Sequence, residues 1–312
     1  MLILSGCGSG KKTDSRADNE VSPEKADQRE VVIEITGSGS RDESDPNARP
    51  ESEEAPEPEE TPEPEILHFV DVFGEEYEVE INDNIAKTPY DNAAFERNGD
   101  RLSYEDDVFS SEWGIDVSRY QNTINWEKVK AAGAEFAFIR IGFRGYGTEG
   151  SLNLDDRFKR NIEEAKKAGI DVGVYFFAQA VNEEEAREEA EFVIKNLEGY
   201  ELDLPVVYDP ESILDAEART DNVTGEQFTK NTEVFCSVIK EAGYSPMIYC
   251  NMLWEAYELD LEKLSEYPVW YADYEYYPQT PYLYEYWQYS NEGRIDGISG
   301  GIDLNIRMVR KP

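Results

Sequence analysis

Residues 113–141 read WGIDVSRYQNTINWEKVKAAGAEFAFIRI. Trp113–Ser118 has the apolar, β-branched content of a strand. Asn125 then stands as an N-cap before a short helix, Trp126–Ala132, which Gly133 stops. Phe136–Ile141 is a second apolar strand. Strand, helix and strand in so short a span make a βαβ unit, and such a unit lays its two strands parallel with a right-handed crossover.

The pattern repeats along the chain. Asp155–Ala168 has helical spacing, with Phe158, Ile162 and Ala165 on one face, and ends at Gly169. Ile170–Phe177 is a third strand, Glu183–Leu197 an amphipathic helix with its glutamates outward, and Leu204–Asp209 a fourth strand. Thr224–Ala242 is a helix bearing Phe228, Phe235, Val238 and Ile239, and Pro246–Cys250 a fifth strand. Val269–Ala272, Tyr284–Tyr289 and Ile302–Leu304 follow with little helix between them. The expected fold is α/β: an irregular TIM-like (β/α) barrel with helices missing after the later strands. The rival, a doubly wound open sheet, usually carries a Gly-rich turn after its first strand, and Asp116-Val117-Ser118-Arg119-Tyr120 is not one.

The chain has 312 residues, with 30 basic and 68 acidic side chains and a formal charge of −38. That charge excludes nucleic-acid binding by phosphate neutralisation and disfavours docking on anionic lipid. Residues 1–110 carry 10 basic and 30 acidic groups, against 20 and 38 in residues 111–312. The first third thus holds more than half the excess charge, with few large apolar residues before Ile66, which is the composition of disorder. We expect residues 8–65 to be a disordered acidic linker, because Pro50–Glu65 alternates proline with glutamate and such a segment stays stretched. Residues 66–110 cluster β-formers around a Gly-Glu-Glu turn and are expected to form a small β-hairpin extension that packs on the domain at 111–312. Residues 1–7, Met1-Leu2-Ile3-Leu4-Ser5-Gly6-Cys7, resemble a truncated lipoprotein-type signal, in which the Cys7 thiol receives a lipid. The basic region and long apolar run of a full signal are missing, so an inert Cys7 is the alternative. No run of 18 apolar residues exists to cross a membrane, so the expected membrane contact is the lipid at Cys7 alone. Cys236 and Cys250 read as core thiols, and three cysteines with one histidine, His68, fit no metal template or histidine triad.

In a barrel of this kind the active site lies where the parallel strands end. Asp116, Arg140, Tyr175, Asp209, Glu211, Tyr249, Asn251, Asp273, Gln288 and Asp303 fall at those ends. Asp209-Pro210-Glu211 is the sharpest feature, because residues two apart in an extended segment point the same way. Two crowded carboxylates do not both ionise easily, so one keeps its proton near neutral pH and can serve as a general acid for glycosidic cleavage.

The blocks Trp113–Gln121, Ile124-Asn125-Trp126, Phe136–Arg140, Gly173–Phe177, Pro205–Glu211, Gly243–Tyr249, Trp270-Tyr271-Ala272, Trp287-Gln288-Tyr289 and Gly301–Asn305 together resemble glycoside hydrolase family 25, the muramidases of the Chalaropsis lysozyme type, over about 113–310. The resemblance implies hydrolysis of the β-1,4 bond from N-acetylmuramic acid to N-acetylglucosamine in peptidoglycan, without a cofactor or metal. Glu211 would be the general acid. Asp209 would orient the substrate's acetamido group as it assists the reaction. Asp116 and Asp303 would shape the field and position water or sugar. Aromatic faces stack on pyranose rings, so Tyr175, Phe177, Tyr249, Trp270 and Tyr271, with Arg140 and Gln288, are the expected substrate contacts; Arg140 could instead be tied to an acid at the rim. The expected partner is the glycan strand, the state a monomer, and the place the outside of the cell, envelope-anchored or secreted. The alternatives are a catalytically silent barrel that binds wall glycan and a metal-dependent barrel hydrolase.

Overall fold

A computed structural model describes residues 63–214 and 217–312. Cys7 and almost all of the expected linker lie outside the described residues. Eight strands run β1 (Phe109–Val117), β2 (Phe136–Arg144), β3 (Asp171–Ala178), β4 (Val206–Pro210), β5 (Pro246–Asn251), β6 (Val269–Ala272), β7 (Tyr286–Gly293) and β8 (Ile302–Arg310). Each pairs with the next and β8 pairs back onto β1, so the sheet closes into a barrel. β1 to β7 are parallel. The parallel pattern read from the sequence does not extend to β8, which is antiparallel to both neighbours. Only residues 294–301 link it to β7, and a parallel return needs a dozen or more.

Helices α1 (Trp126–Ala131), α2 (Phe158–Lys167), α3 (Glu183–Leu197) and α4 (Gly225–Glu241) follow β1 to β4 in turn. Asn125, Asn182 and Thr224 cap α1, α3 and α4 by accepting from Lys128, Glu185 and Gln227 amides. The glutamates of α3 do not all face water as its sequence suggests. Glu189 is fully buried and meets the Arg144 Nε at 2.8 Å. It lies on the same helical face as buried Ala186, Ala190 and Val193, and the guanidinium offsets its charge.

After β5 there is one π-helical turn, Trp254–Glu258, and no helix follows β6 or β7 among the described residues. Residues 66–104 cover that side instead. They form two hairpins, Ile66–Val70 with Glu76–Glu80, and Phe95–Asn98 with Arg101–Tyr104. Tyr90 lies against Tyr284, with ring centroids 5.1 Å apart, and Phe95 against Trp287 at 5.3 Å. Under this layer Tyr271, Tyr284 and Trp287 are buried to 1% exposure or less.

Alternation sends the other residues of each strand inward. Phe136, Phe138, Tyr175, Val207, Met247, Tyr249, Trp270 and Tyr286 fill the barrel. Phe138 stacks on Trp270 at 4.6 Å, and Tyr249 meets the same indole edge-on at 4.9 Å. Gly173 makes room for this layer, since a Cβ there would sit 2.5 Å from the Phe138 ring. The opposite end of the barrel opens on a cavity of about 570 Å³ whose charges are paired, Lys240 with Glu266, Arg307 with Glu285 and Asp203 with Lys166 outside it.

Burial pushes the Glu255 carboxyl of the π-helical turn up to about 8. In the unfolded chain it ionises near its ordinary 4.5. Between those values the folded state holds the extra proton, so stability falls as pH rises, by up to about 1.4 kcal/mol per pH unit from this group. Glu255→Gln should therefore flatten the loss of thermal stability between pH 5 and 8. Parallel Tm curves for the two proteins would contradict it.

Candidate active site

Asp116 is the next-to-last residue of β1 and Asp303 the second residue of β8, and antiparallel pairing sets them directly opposite each other. β8 begins at the rim where the parallel strands end. The two side chains therefore share one face, with β-carbons about 5 Å apart. Asp209 is one residue from the end of β4, beside Phe177 of β3, and Glu211 follows directly. Pro210 lies past the last β4–β5 pair, Ile248 with Tyr208, so its missing N–H leaves that ladder intact.

The donors around Asp116 can be oriented without ambiguity. Trp270 Nε1, a donor only, meets Asn305 Oδ1 at 2.8 Å. The Asn305 amide nitrogen must therefore be the group that donates to Asp116 Oδ2, at 2.8 Å. Tyr249 and Tyr274 hydroxyls both meet Gln288 Oε1, at 2.9 and 2.8 Å. The Gln288 amide nitrogen then donates to the same Asp116 Oδ2, at 2.8 Å. Burial raises the Asp116 carboxyl, while the Asn305 and Gln288 amides pull it back. Burial, and then the Asp116 charge, push Asp303 well above the usual carboxylate range. Two buried carboxyls in hydrogen-bond contact do not both ionise easily, so this pair favours one shared proton.

Asp209 is 3% exposed. Burial, and then the charge of Glu211, push it well above the usual range, and the two carboxyls share a hydrogen bond. Asp209 is the deeper of the two. Gln179, just past β3, donates its side-chain amide to the Glu211 carbonyl at 2.8 Å and accepts from the Thr220 hydroxyl at 3.0 Å.

The two acid pairs face each other across the mouth. The Tyr175 hydroxyl is raised by burial first, with Asp116, Asp209 and Asp303 adding to the rise and Arg140 opposing it. Tyr249 responds to Glu211, Asp209 and Asp116, and Tyr274 to Asp303, Glu211 and Asp116, again after burial. All four acids expected from the sequence therefore converge, with Tyr175, Tyr249 and Gln288. Phe177 is half-buried beside Asp209.

Three expected sugar contacts are placed otherwise. Tyr271 faces the outside of the barrel, stacked on Tyr284 at 5.9 Å, because it alternates with inward Trp270. Trp270 is 1% exposed and forms the floor under Asn305. Arg140 is buried and tied to Asp155 Oδ2 through Nε at 2.8 Å, stacked over Tyr120 and Phe143. Two other strand-end residues serve loops: Asp273 accepts from the amides of Glu275 and Gln279, and Asn251 from that of Trp254. Asn305, Tyr274 and Gln179 were not among the expected site residues. Asn305 was within reach of sequence reasoning, being two residues past Asp303 on the same face. Tyr274 and Gln179 lie just past the ends of β6 and β3, so their positions were within reach of the strand-end rule but their partners were not. Among the described residues, no group of three or more His, Cys, Asp or Glu is arranged to hold a metal.

The sequence pattern of the family described as "Glycosyl hydrolases family 25" matches residues 115–298. That span contains Asp116, Asp209 and Glu211, and Asp303 lies just past its end. The chain is 30% identical over 204 residues to "Uncharacterized protein YegX" of Escherichia coli (strain K12), covering 62% of this chain and 68% of that protein. It is 31% identical over 207 residues to "Lysozyme M1" of Streptomyces globisporus, covering 62% and 66%. The crystal structure of the bacterial lysozyme from Streptomyces coelicolor is similar with a TM-score of 0.52 and 29% identity, over 62% of this chain and 90% of that one.

Asn305→Leu would leave the Trp270 indole N–H without an acceptor and Asp116 with one donor fewer. It should lower stability by about 3 kcal/mol, measured by urea unfolding. A loss under about 0.5 kcal/mol, the size of an ordinary surface change, would show that the network does not bear on stability.

Proposed function

We propose, because this chain belongs to glycosyl hydrolases family 25, that its barrel mouth cuts the β-1,4 bond between N-acetylmuramic acid and N-acetylglucosamine with Glu211 as general acid. The chain is a glycoside hydrolase of the lysozyme type. The observation that carries the residue assignment is the pairing of buried Asp209 with the more accessible Glu211, whose carboxyls share a hydrogen bond.

At rest Asp209 holds the proton and donates to Glu211. When the substrate's acetamido N–H reaches Asp209, the carboxylate accepts that N–H and the shared proton passes to Glu211. Glu211 then gives it to the glycosidic oxygen as the C1–O bond breaks. The acetamido carbonyl oxygen bonds to C1, and the aspartate stabilises the positive charge left on the nitrogen. Water next attacks C1, breaks the bond to the carbonyl oxygen and returns a proton to Glu211. The ionised Asp116, with Asp303 holding its proton, sets a negative field on the other side of the mouth, suited to a developing oxocarbenium charge. Tyr175, Tyr249 and Phe177 border the space where the sugar would lie.

A barrel that cuts wall glycan works outside the cytoplasmic membrane. Lipid at Cys7 and the acidic stretch at 8–65 would then serve as tether and spacer, a reading that mass analysis of the native N-terminus tests directly.

Glu211→Gln should lower release of new reducing ends from purified peptidoglycan by at least about 100-fold, with glycan binding kept. Unchanged turnover would overturn the acid assignment. Binding by the native protein with no new reducing ends would favour the silent barrel instead. Residues 111–312 carry 20 basic and 38 acidic groups, so anionic wall polymers should repel the enzyme and moderate salt should raise its rate on intact walls. A rate that falls with added salt at fixed pH would count against this.

A further inference from the structure

Tyr274 enters the site from the loop at 273–284, between β6 and β7, where no helix holds the backbone. Within the loop, the Asp273 carboxylate accepts from the amides of Glu275 at 3.0 Å and Gln279 at 2.8 Å. Asp273 is also held from the barrel, by the Trp287 indole N–H and the Tyr271 hydroxyl, and most anchors farther along the loop come from residues 66–104. The Arg97 guanidinium donates to the Tyr276 carbonyl at 2.9 Å and lies over the Tyr276 ring, 5.0 Å from its centroid. Gln279 makes two bonds with the Val70 backbone, accepting from its N–H at 2.8 Å and donating to its carbonyl at 2.9 Å. The Thr88 amide donates to the Pro281 carbonyl at 2.9 Å, and the Leu283 amide to the Ala86 carbonyl at 2.8 Å. These residues all precede the family match, which begins at residue 115.

The loop matters to the site through one atom. The Tyr274 hydroxyl helps fix which end of the Gln288 amide faces Asp116. A displaced loop withdraws that donor, and the amide then loses part of what holds its nitrogen toward the carboxylate. Misplacement of about 1 Å in such a group is enough to slow catalysis strongly.

We propose that residues 66–104 are a working part of the active site, with Arg97 a positioning residue that holds the loop so that Tyr274 donates to Gln288. The proposal rests on the hydrolase reading above. It gives this segment a role beyond covering the apolar side of the barrel: it orients a polar group inside the mouth.

A double-mutant cycle tests it in the full-length protein. Arg97→Met keeps the aliphatic stem and removes the donors. It should lower kcat on peptidoglycan by about tenfold with a small change in KM, and Tyr274→Phe should do the same. In the Tyr274→Phe background, Arg97→Met should have no further effect on kcat, because its action passes through that hydroxyl. Ile162→Val in α2, distant from the loop, controls for loss of stability and should leave kcat unchanged at a similar Tm. An Arg97→Met effect of equal size in both backgrounds, or none in either, would overturn the proposal. Hydrogen exchange at the Gln279 amide gives a readout independent of activity. It should quicken in Arg97→Met beyond any change in Ile162→Val, and an unchanged rate would also overturn the proposal. A native protein that cuts no glycan while this exchange quickens would remove the hydrolase reading and leave the positioning of the loop standing.

Discussion

A carboxylate buried in the mouth of a closed barrel is tolerable only if something satisfies it. Asp116, at 4% exposure, receives two amide donors on one oxygen and shares a hydrogen bond with Asp303. The donors reach it from β7 and β8, oriented in turn by Trp270 of β6, Tyr249 of β5 and Tyr274 of the following loop. Closing the sheet and satisfying the charge are therefore one event. The β8–β1 seam that seals the barrel is also where Asp303 meets Asp116.

The four acids divide into two pairs with different surroundings. Asp116 is buried beside half-buried Asp303 and accepts from two fixed amides. Asp209 is buried beside half-buried Glu211, whose backbone rather than side chain is held by Gln179. Carboxyl groups in such different surroundings are suited to different roles in one site.

The missing helices shape the rest of the molecule. β6 and β7 carry large outward rings at Tyr271, Trp287 and Tyr289, and a helix would ordinarily cover such a face. Here two hairpins and the strap between them cover it with Tyr90, Phe95 and Tyr104. Because those hairpins run past the ends of β6 and β7, the packing that buries apolar surface also reaches the loop at the mouth.

Much of this was legible in the residues alone. Alternating strand and helix periods, with Asn125 opening its helix, pointed to parallel strands in a barrel. Acids at strand ends pointed to one rim. These are local signals, set by backbone geometry over a few residues. Alternation also separates Trp270 from Tyr271, so the outward position of Tyr271 was open to the same reasoning. The placement of Arg97 and the partners of Tyr274 and Gln179 were not, because those contacts span from 14 to 179 residues and no repeat links them. The same holds for the raised carboxyls of Asp303 and Asp209. A carboxyl's charge state depends on burial and on donors contributed by distant strands, and those come into existence only when the chain closes on itself.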